Sequence, residues 1–506
     1  MKRRNIILAG AIAVVLMGAI VLAYVFGGGS DEADTTKPVG AVPSGLDQYY
    51  TQDLEWEECG QAKCTNVEVP IDYEKPDGDT LELRVKVIPS EGESGRSLFV
   101  NPGGPGASAH DFADALAGLL GADVLATYDL VAVDPRGVGD STPIDCVSDR
   151  DFDAFIATDP SPDDDAEVDE YRKLLSEFGD GCTSKSGGLV EHVSTEEAAR
   201  DFDVVRALLG SKTFDWFGFS YGTQLGATYA TLFPENVGRM VLDGAVDPSL
   251  SQVDGYAGQS KGFDRAVRAY VRDCVRQEAC PLGTETGPAL DKLRDFLAST
   301  DAKPLETGSA RMLTEGQAYR GLFYPLYSKE SWPFLTQALT AAFKGDGAPL
   351  LQAADAYFER GQDGSFSNNS GEAFLVVMCL DLDERATLDE TRQAIPRFEK
   401  GNPVFGLQDA WALLWCTDLA LKSTHPQVPI DAQGSEPIVV IGTTRDPATP
   451  YEWSQSLSDQ LGTGVLVTRE GDGHTAYGSG NPCIDDIVDS YLADGKVPKD
   501  GTTCKE

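Results

Sequence analysis

The sequence predicts an α/β protein: a mostly parallel central sheet with helices on both faces and a helical lid insertion. Three observations carry this. Six short apolar runs, rich in β-branched residues, each end in Gly, Pro or Asp. Such runs are the mark of strands buried on both faces. Helical stretches lie between them. From Pro248 to about residue 400 the strand signal disappears and the text turns helical.

The elements follow in chain order. Lys2, Arg3 and Arg4 precede an unbroken apolar run from Ile6 to Phe26, long enough to span a bilayer. The basic end stays inside, so the rest of the chain is expected outside. Val21-Leu22-Ala23 offers a small-residue cleavage site. Cleaved signal and retained membrane anchor both fit residues 1–26. Residues 27–50, rich in Gly, Ser, Pro and acids, read as a linker. "TNVEVPIDYEKPDGDTLELRVKVIP" then shows two alternating runs around Asp77-Gly78, a hairpin. The six apolar runs are "SLFVNPGGPG", "YDLVAVDPRGVGDS", "FDWFGFSYG", "GRMVLDGAVDP", "PIVVIGTTRDPATP" and "GVLVTREGDGH". "STEEAARDFDVVRALLG" is a helix with Ser194 as N-cap and Glu197 three residues on. An acidic insert at 146–182, flanked by Cys146 and Cys182, reads as a solvated surface helix tied by a disulfide. The expected layout is therefore a first core segment at 51–247, the helical insertion at 248–400 and a second core segment at 401–506.

Charge and cysteines bound the function. Lys+Arg number 41 against 81 Asp+Glu, a net of −40. That excludes nucleic acid and anionic lipid surfaces as natural partners. Ten cysteines fit an oxidising compartment and five disulfides. Connectivity does not follow from sequence, but the close pairs Cys59/Cys64, Cys274/Cys280 and Cys483/Cys504 suggest neighbour pairing. With no CxxC pair and four histidines, neither a metal nor a cofactor is expected. The oligomeric state is not legible.

The chemistry centres on Gly218-Phe219-Ser220-Tyr221-Gly222. A serine at the apex of a strand-to-helix turn is exposed above the sheet, and the crowded backbone favours glycine two residues either side. A lone GxSxG is weak evidence, because a serine hydroxyl needs a base. Of the histidines, His110 sits in a loop, His192 precedes a helix cap and His425 lies in a Pro-rich loop. His474, in "EGDGHTAYG", directly follows the last apolar strand. Asp446, in the tight turn after "PIVVIGTTR", is the orienting carboxylate such a base requires. The chain order Ser220, Asp446, His474 is that of the α/β-hydrolase fold, distinct from other serine-hydrolase orders. The oxyanion hole needs the N–H of Tyr221 and one from an early loop. "NPGGPG" supplies it, with Gly104 the first choice among Gly103, Gly104 and Gly106. Asp134-Pro135-Arg136-Gly137 reads as a structural turn with a buried ion pair. Thr449 reads as a helix cap before it reads as a hydrogen-bond partner of the site.

"NPGGPG", "DPRGVGDS", "GFSYGTQLGATYATLFPENVGRMVLDGAVDP" and "TRDPATPYEWSQSL…GDGHTAYG" together resemble the tripeptidyl aminopeptidases and related proline-iminopeptidase-like serine exopeptidases of actinobacteria. The resemblance runs from about residue 50 to the end. It implies Ser220, Asp446 and His474 as the triad and GGPG as the oxyanion site. The proline-iminopeptidase pattern has a histidine before GGPG, where this chain has Pro102. The resemblance implies release of short pieces from peptides with a free N-terminus, with carboxylesterase activity as the alternative. An α-ammonium is best held by buried carboxylates. In "NNSGEAFLVVMCLDLDE" the candidates are Asp381, then Glu372, with Asp383 nearby. Residues 6–26 would serve as any membrane tether.

Overall fold

The computed structural model describes residues 39–92 and 95–505. The expected signal or anchor at 1–26 and most of the 27–50 linker lie outside the described residues. No described helix is long and apolar enough to cross a membrane.

Ten strands form one sheet: β1 (Glu57–Cys59), β2 (Ala62–Pro70), β3 (Thr80–Ile88), β4 (Arg96–Asn101), β5 (Tyr128–Val133), β6 (Phe214–Phe219), β7 (Val237–Asp243), β8 (Ile438–Arg445), β9 (Gly464–Asp472) and β10 (Thr502–Cys504). Their spatial order is β1-β2-β3-β5-β4-β6-β7-β8-β9-β10. The first three strands pair antiparallel and β4 to β10 pair parallel. The six apolar runs are β4 to β9, and the expected hairpin is β2–β3. The edge strands β1 and β10 have three residues each, too few to show a period in the sequence.

Alternation along each strand builds two cores. Phe99, Val131, Trp216, Leu242 and Val440 face the helices Thr195–Leu208 and Tyr221–Leu232. Leu98, Leu130, Phe217, Val241 and Val439 face Ala109–Ala117 and Pro482–Asp494. Both faces are covered, as a parallel sheet requires. The chain runs from β4 outward to β5 and then back across to β6. The reversal of strand order between β4 and β6 opens a crevice at their carboxyl ends, where ligands of open α/β sheets bind.

The insertion is a helical layer with its own core, including Phe263, Tyr270, Leu293, Phe323 and Leu339. It extends past the expected boundary at 400. Helices Gly406–Trp411 and Trp415–Leu419 continue it, and strand returns only at Ile438. The Cys379–Cys416 disulfide ties this extra piece to the helix Ser370–Leu380. The linker also ends early. Asp47–Tyr50 is helical, with Tyr49 and Tyr50 buried and the Tyr50 hydroxyl donating to Asp203 at 2.9 Å. Two aromatic rings with core to cover outweigh the local polar composition. All ten cysteines pair with their sequence neighbours. Arg136 is fully buried, with Asp201 at 2.7 and 2.8 Å and with the carbonyls of Pro70, Ile71 and His192. It joins the β2–β3 hairpin to the helix Thr195–Leu208.

Candidate active site

Ser220 sits between β6 and the helix that begins at Tyr221. Its φ of 54° and ψ of −122° are a conformation that costs a non-glycine residue of order 1–3 kcal/mol, so the surroundings must enforce it. They do so through hydrogen bonds. The Ser220 N–H donates to the Asp243 carbonyl at 2.9 Å, and the Ser220 carbonyl accepts from the Thr223 N–H at 2.8 Å and the Thr223 hydroxyl at 2.6 Å. A Cβ on Gly218 would collide with the Gly222 carbonyl and the Trp216 indole nitrogen. One on Gly222 would lie 3.0 Å from Asn101. The turn is thus both held and sterically restricted to glycine on its two sides.

Asp446 follows β8 and is fully buried. Its Oδ1 accepts the N–H groups of Ala448 (2.9 Å) and Thr449 (2.8 Å), and its Oδ2 accepts that of Thr475 at 3.1 Å. Those bonds fix the carboxylate so that it meets His474 Nδ1 at 2.9 and 3.0 Å. Nδ1 is therefore the protonated nitrogen and Nε2 is left as an acceptor. Thr449 contacts the same nitrogen through Oγ1 at 3.3 Å, while Pro450 holds the N-cap position of the following helix. The cap expected at Thr449 is a partner of the histidine instead.

His474 follows β9. Burial alone would push its imidazole pKa down, but the charge and hydrogen bond of Asp446, with Asp243 behind, leave it above the ordinary value. Two groups that position this loop were not singled out from the sequence. Asp243, the last residue of β7, accepts the N–H groups of Ala476 (2.9 Å) and Tyr477 (2.8 Å). Burial, offset in part by those bonds, pushes its carboxyl up to about 6. Tyr327, from the insertion, accepts the His474 N–H on its carbonyl at 2.8 Å and sets its ring edge-on to the imidazole at 5.4 Å. An aspartate closing a strand was visible in "MVLDG"; nothing in "FYPLY" marked Tyr327.

The three glycines of the NPGGPG loop do different things. The Gly103 N–H donates to Asn101 Oδ1 at 2.9 Å, and a Cβ there would sit 3.0 Å from the Ser220 Cβ and 3.1 Å from the Tyr221 nitrogen. Gly104 lines the cavity with Ser220. Gly106 packs so closely on Ser370 and Ala373 of the insertion that a Cβ would overlap them. Tyr221 is the first residue of its helix, so its N–H has no intrahelical acceptor.

Ser220, Tyr221, His474 and Gly104 all face one cavity of about 530 Å³ between the sheet edge and the insertion. Asp381 lines it too. Its carboxylate accepts the Thr195 N–H (2.9 Å), the Thr195 hydroxyl (2.6 Å) and the Gln224 amide (2.9 Å). Burial, opposed by those donors, pushes it up to about 6. Glu372 accepts the N–H groups of Val147 (3.0 Å) and Cys146 (3.3 Å) and is not among the described cavity-lining residues. Asp383 is exposed. The other histidines have structural partners: His110 with the Arg84 carbonyl, His192 with Glu197, His425 with Glu196. Three groups of ligating atoms are close enough to hold a cation: Asp72/His192/His425, His110/Asp134/Asp140 and Asp159/Asp301/Glu315. None includes a residue of the Ser220 site.

Residues 402–504 match the family model described as TAP-like protein. Serine protease Hip1 of Mycobacterium tuberculosis is 36% identical over 520 residues, covering 98% of this chain and 96% of that protein. Carboxylesterase B of the same species is 36% identical over 507 residues, covering 97% and 96%. Tripeptidyl aminopeptidase of Streptomyces lividans is 32% identical over 475 residues, covering 89% and 86%. With a strand–serine–helix turn, a buried Asp–His pair and a glycine loop at the carboxyl edge of one parallel sheet, the chain belongs to the tripeptidyl-aminopeptidase-like serine hydrolases of the α/β-hydrolase fold.

Proposed function

We propose that this protein is an exported serine exopeptidase that removes short N-terminal pieces from peptides through an acyl-enzyme. The observation that carries the reading is the shared cavity: Ser220, a histidine bonded to a buried aspartate, and two unengaged backbone positions, Gly104 and Tyr221, face the same space. In the reaction His474 Nε2 takes the Ser220 proton as Oγ attacks the peptide carbonyl carbon. The Gly104 and Tyr221 N–H groups receive the negative oxygen. His474 then gives its proton to the departing amine, and water repeats the sequence on the ester to release the acid. Asp446 holds the imidazole tautomer throughout.

The insertion roofs the cavity, which favours chain ends over folded substrates. Asp381 is the candidate for the substrate α-ammonium, since Glu372 is committed to the backbone at 146–147. Export is supported by the five disulfides and the apolar run at 6–26. A second reading, an ester hydrolase with the same triad, is favoured by the mainly apolar cavity wall and by the carboxylesterase relative. One comparison separates them: turnover of a peptide with a free amino terminus, its acetylated form and a short acyl ester. The peptidase reading expects the free peptide to be preferred over the acetylated one by about tenfold or more. Equal peptide rates, or ester turnover alone, would sink it.

A further inference from the structure

The cavity that holds Ser220 also holds a cation with no ion-pair partner among the described residues. Arg320, on the helix Glu315–Phe323, lines its wall. The guanidinium carbon lies 4.9 Å from the ring centre of Tyr319, 5.1 Å from Tyr357, 5.4 Å from Phe323 and 5.9 Å from both Phe358 and Trp415. Ring faces attract and orient a guanidinium, but they leave its charge and its N–H donors unpaired. Among the described residues the Arg320 guanidinium makes no hydrogen bond and no direct ion pair; the Asp409 carboxylate acts on it only at longer range.

Other enclosed arginines differ. Arg136 and Arg206 each bond an aspartate at 2.7 Å. Arg385 donates to the carbonyls of Cys379 and Cys416. Acids are not scarce, because four line the same cavity: Asp247, Glu359, Asp381 and Asp409. Each is held by other donors. Asp381 has Thr195 and Gln224, Asp409 has Ser260 and Tyr319, Asp247 has Ser249 and Gln460, and Glu359 has Ser367 and Asn368. A charge enclosed without a directly paired carboxylate is costly, and a planar fork of donors matches a carboxylate.

We propose that Arg320 is the carboxylate anchor of the cavity, binding either the free C-terminus of a short peptide or an acidic side chain of it. Arg320 and Tyr327, whose carbonyl holds His474, line the same cavity. The net charge of −40 repels anions at long range, so a local cation is needed to admit one. The assignment deepens the peptidase reading, but its test does not depend on peptide turnover.

The full chain is assayed with p-nitrophenyl hemisebacate against the corresponding half-amide, which differ only in the remote carboxylate. Two peptide pairs run beside them: free C-terminus against C-terminal amide, and Glu against Gln at each position within reach of the cavity. The expected result is a kcat/KM preference for the acid of about tenfold or more, falling to near unity in Arg320→Met. Whichever peptide pair shows the preference identifies the source of the carboxylate. A wild-type acid-to-amide ratio near one in every pair overturns the proposal, as does a ratio that survives Arg320→Met. If peptides are not turned over but the ester ratio depends on Arg320, the subsite stands and the peptidase reading falls. Should Arg320→Met fail to fold, competitive inhibition of the wild type by sebacate monoamide against sebacamide decides: the monoamide must bind at least tenfold tighter, and equal binding refutes the anchor.

Discussion

The carboxyl edge of the sheet and the helical insertion meet at one cavity, and the Asp446–His474 pair of the first and Arg320 of the second are in opposite states. At the sheet edge the groups serve one another. Asp446 is fixed by three backbone N–H groups and points at His474, whose loop is in turn held by Asp243. In the insertion, the Arg320 guanidinium is oriented by rings and has no hydrogen-bond partner among the described residues. The first arrangement is complete without substrate, as the proposed proton transfer requires of groups that must be in place beforehand. The second is completed only by a ligand. Substitutions at the edge should therefore act on kcat, and those in the insertion on substrate choice.

The largest effect is expected at the edge. Ser220→Ala should lower kcat by about a millionfold with the fold intact. Circular dichroism with a turnover assay checks it, and retained activity would move the nucleophile elsewhere. Asp446→Asn should cost about ten-thousandfold in kcat, since the amide favours the wrong imidazole tautomer. A loss confined to KM would contradict the role given to Asp446. In the insertion, Asp381→Asn should leave kcat for acyl esters within a fewfold while reducing the preference for free over acetylated peptides by about tenfold. The same preference should fade in the wild type as pH falls below about 6, where Asp381 takes up a proton. A preference unchanged across that range would remove Asp381 as the amine ligand.

Smaller effects sharpen the contrast. Because the pKa of His474 is raised, the acid limb of kcat/KM should have its midpoint above the 6.5 of free imidazole. Thr449→Val, which deletes a hydroxyl beside Nδ1, should move that midpoint and change kcat by a fewfold at most. Stability should follow the buried acids. Asp243, Asp381 and Asp409 are each pushed up to about 6 by burial, against about 3.9 when unfolded. Between those values the folded state binds the extra protons. Their contribution is present below about 4 and is lost as pH rises through about 6. The thermal midpoint should thus be higher at pH 5 than at pH 7.5, and the reverse order would show that other groups dominate.

What could be read from the sequence follows from how local the determinants are. β4 to β9 were legible because each is a short apolar run stopped by a turn residue. Ser194 was legible as a cap because its hydroxyl bonds the Glu197 N–H three residues on. The meeting of Asp446 with His474 followed from chain order at strand ends. Tyr327 and Arg320 were not legible, because they reach the cavity through the packing of helices distant in sequence. Thr449 was misjudged because Pro450 takes the cap position. The insertion boundary was misplaced because "LQDAWALLWCTDLA" is apolar enough for core and carries no period-2 pattern to separate it from strand. Edges of sheets are written in short motifs; cavities roofed by helices are not.

Intact-mass analysis of the full chain after one equivalent of a fluorophosphonate probe, followed by peptide mapping, tests the central assignment most directly. The account predicts a single adduct on Ser220, loss of activity in proportion to labelling, and no adduct on Ser220→Ala. Stoichiometric inactivation with the adduct on any other residue, or full activity after Ser220 is labelled, would contradict it.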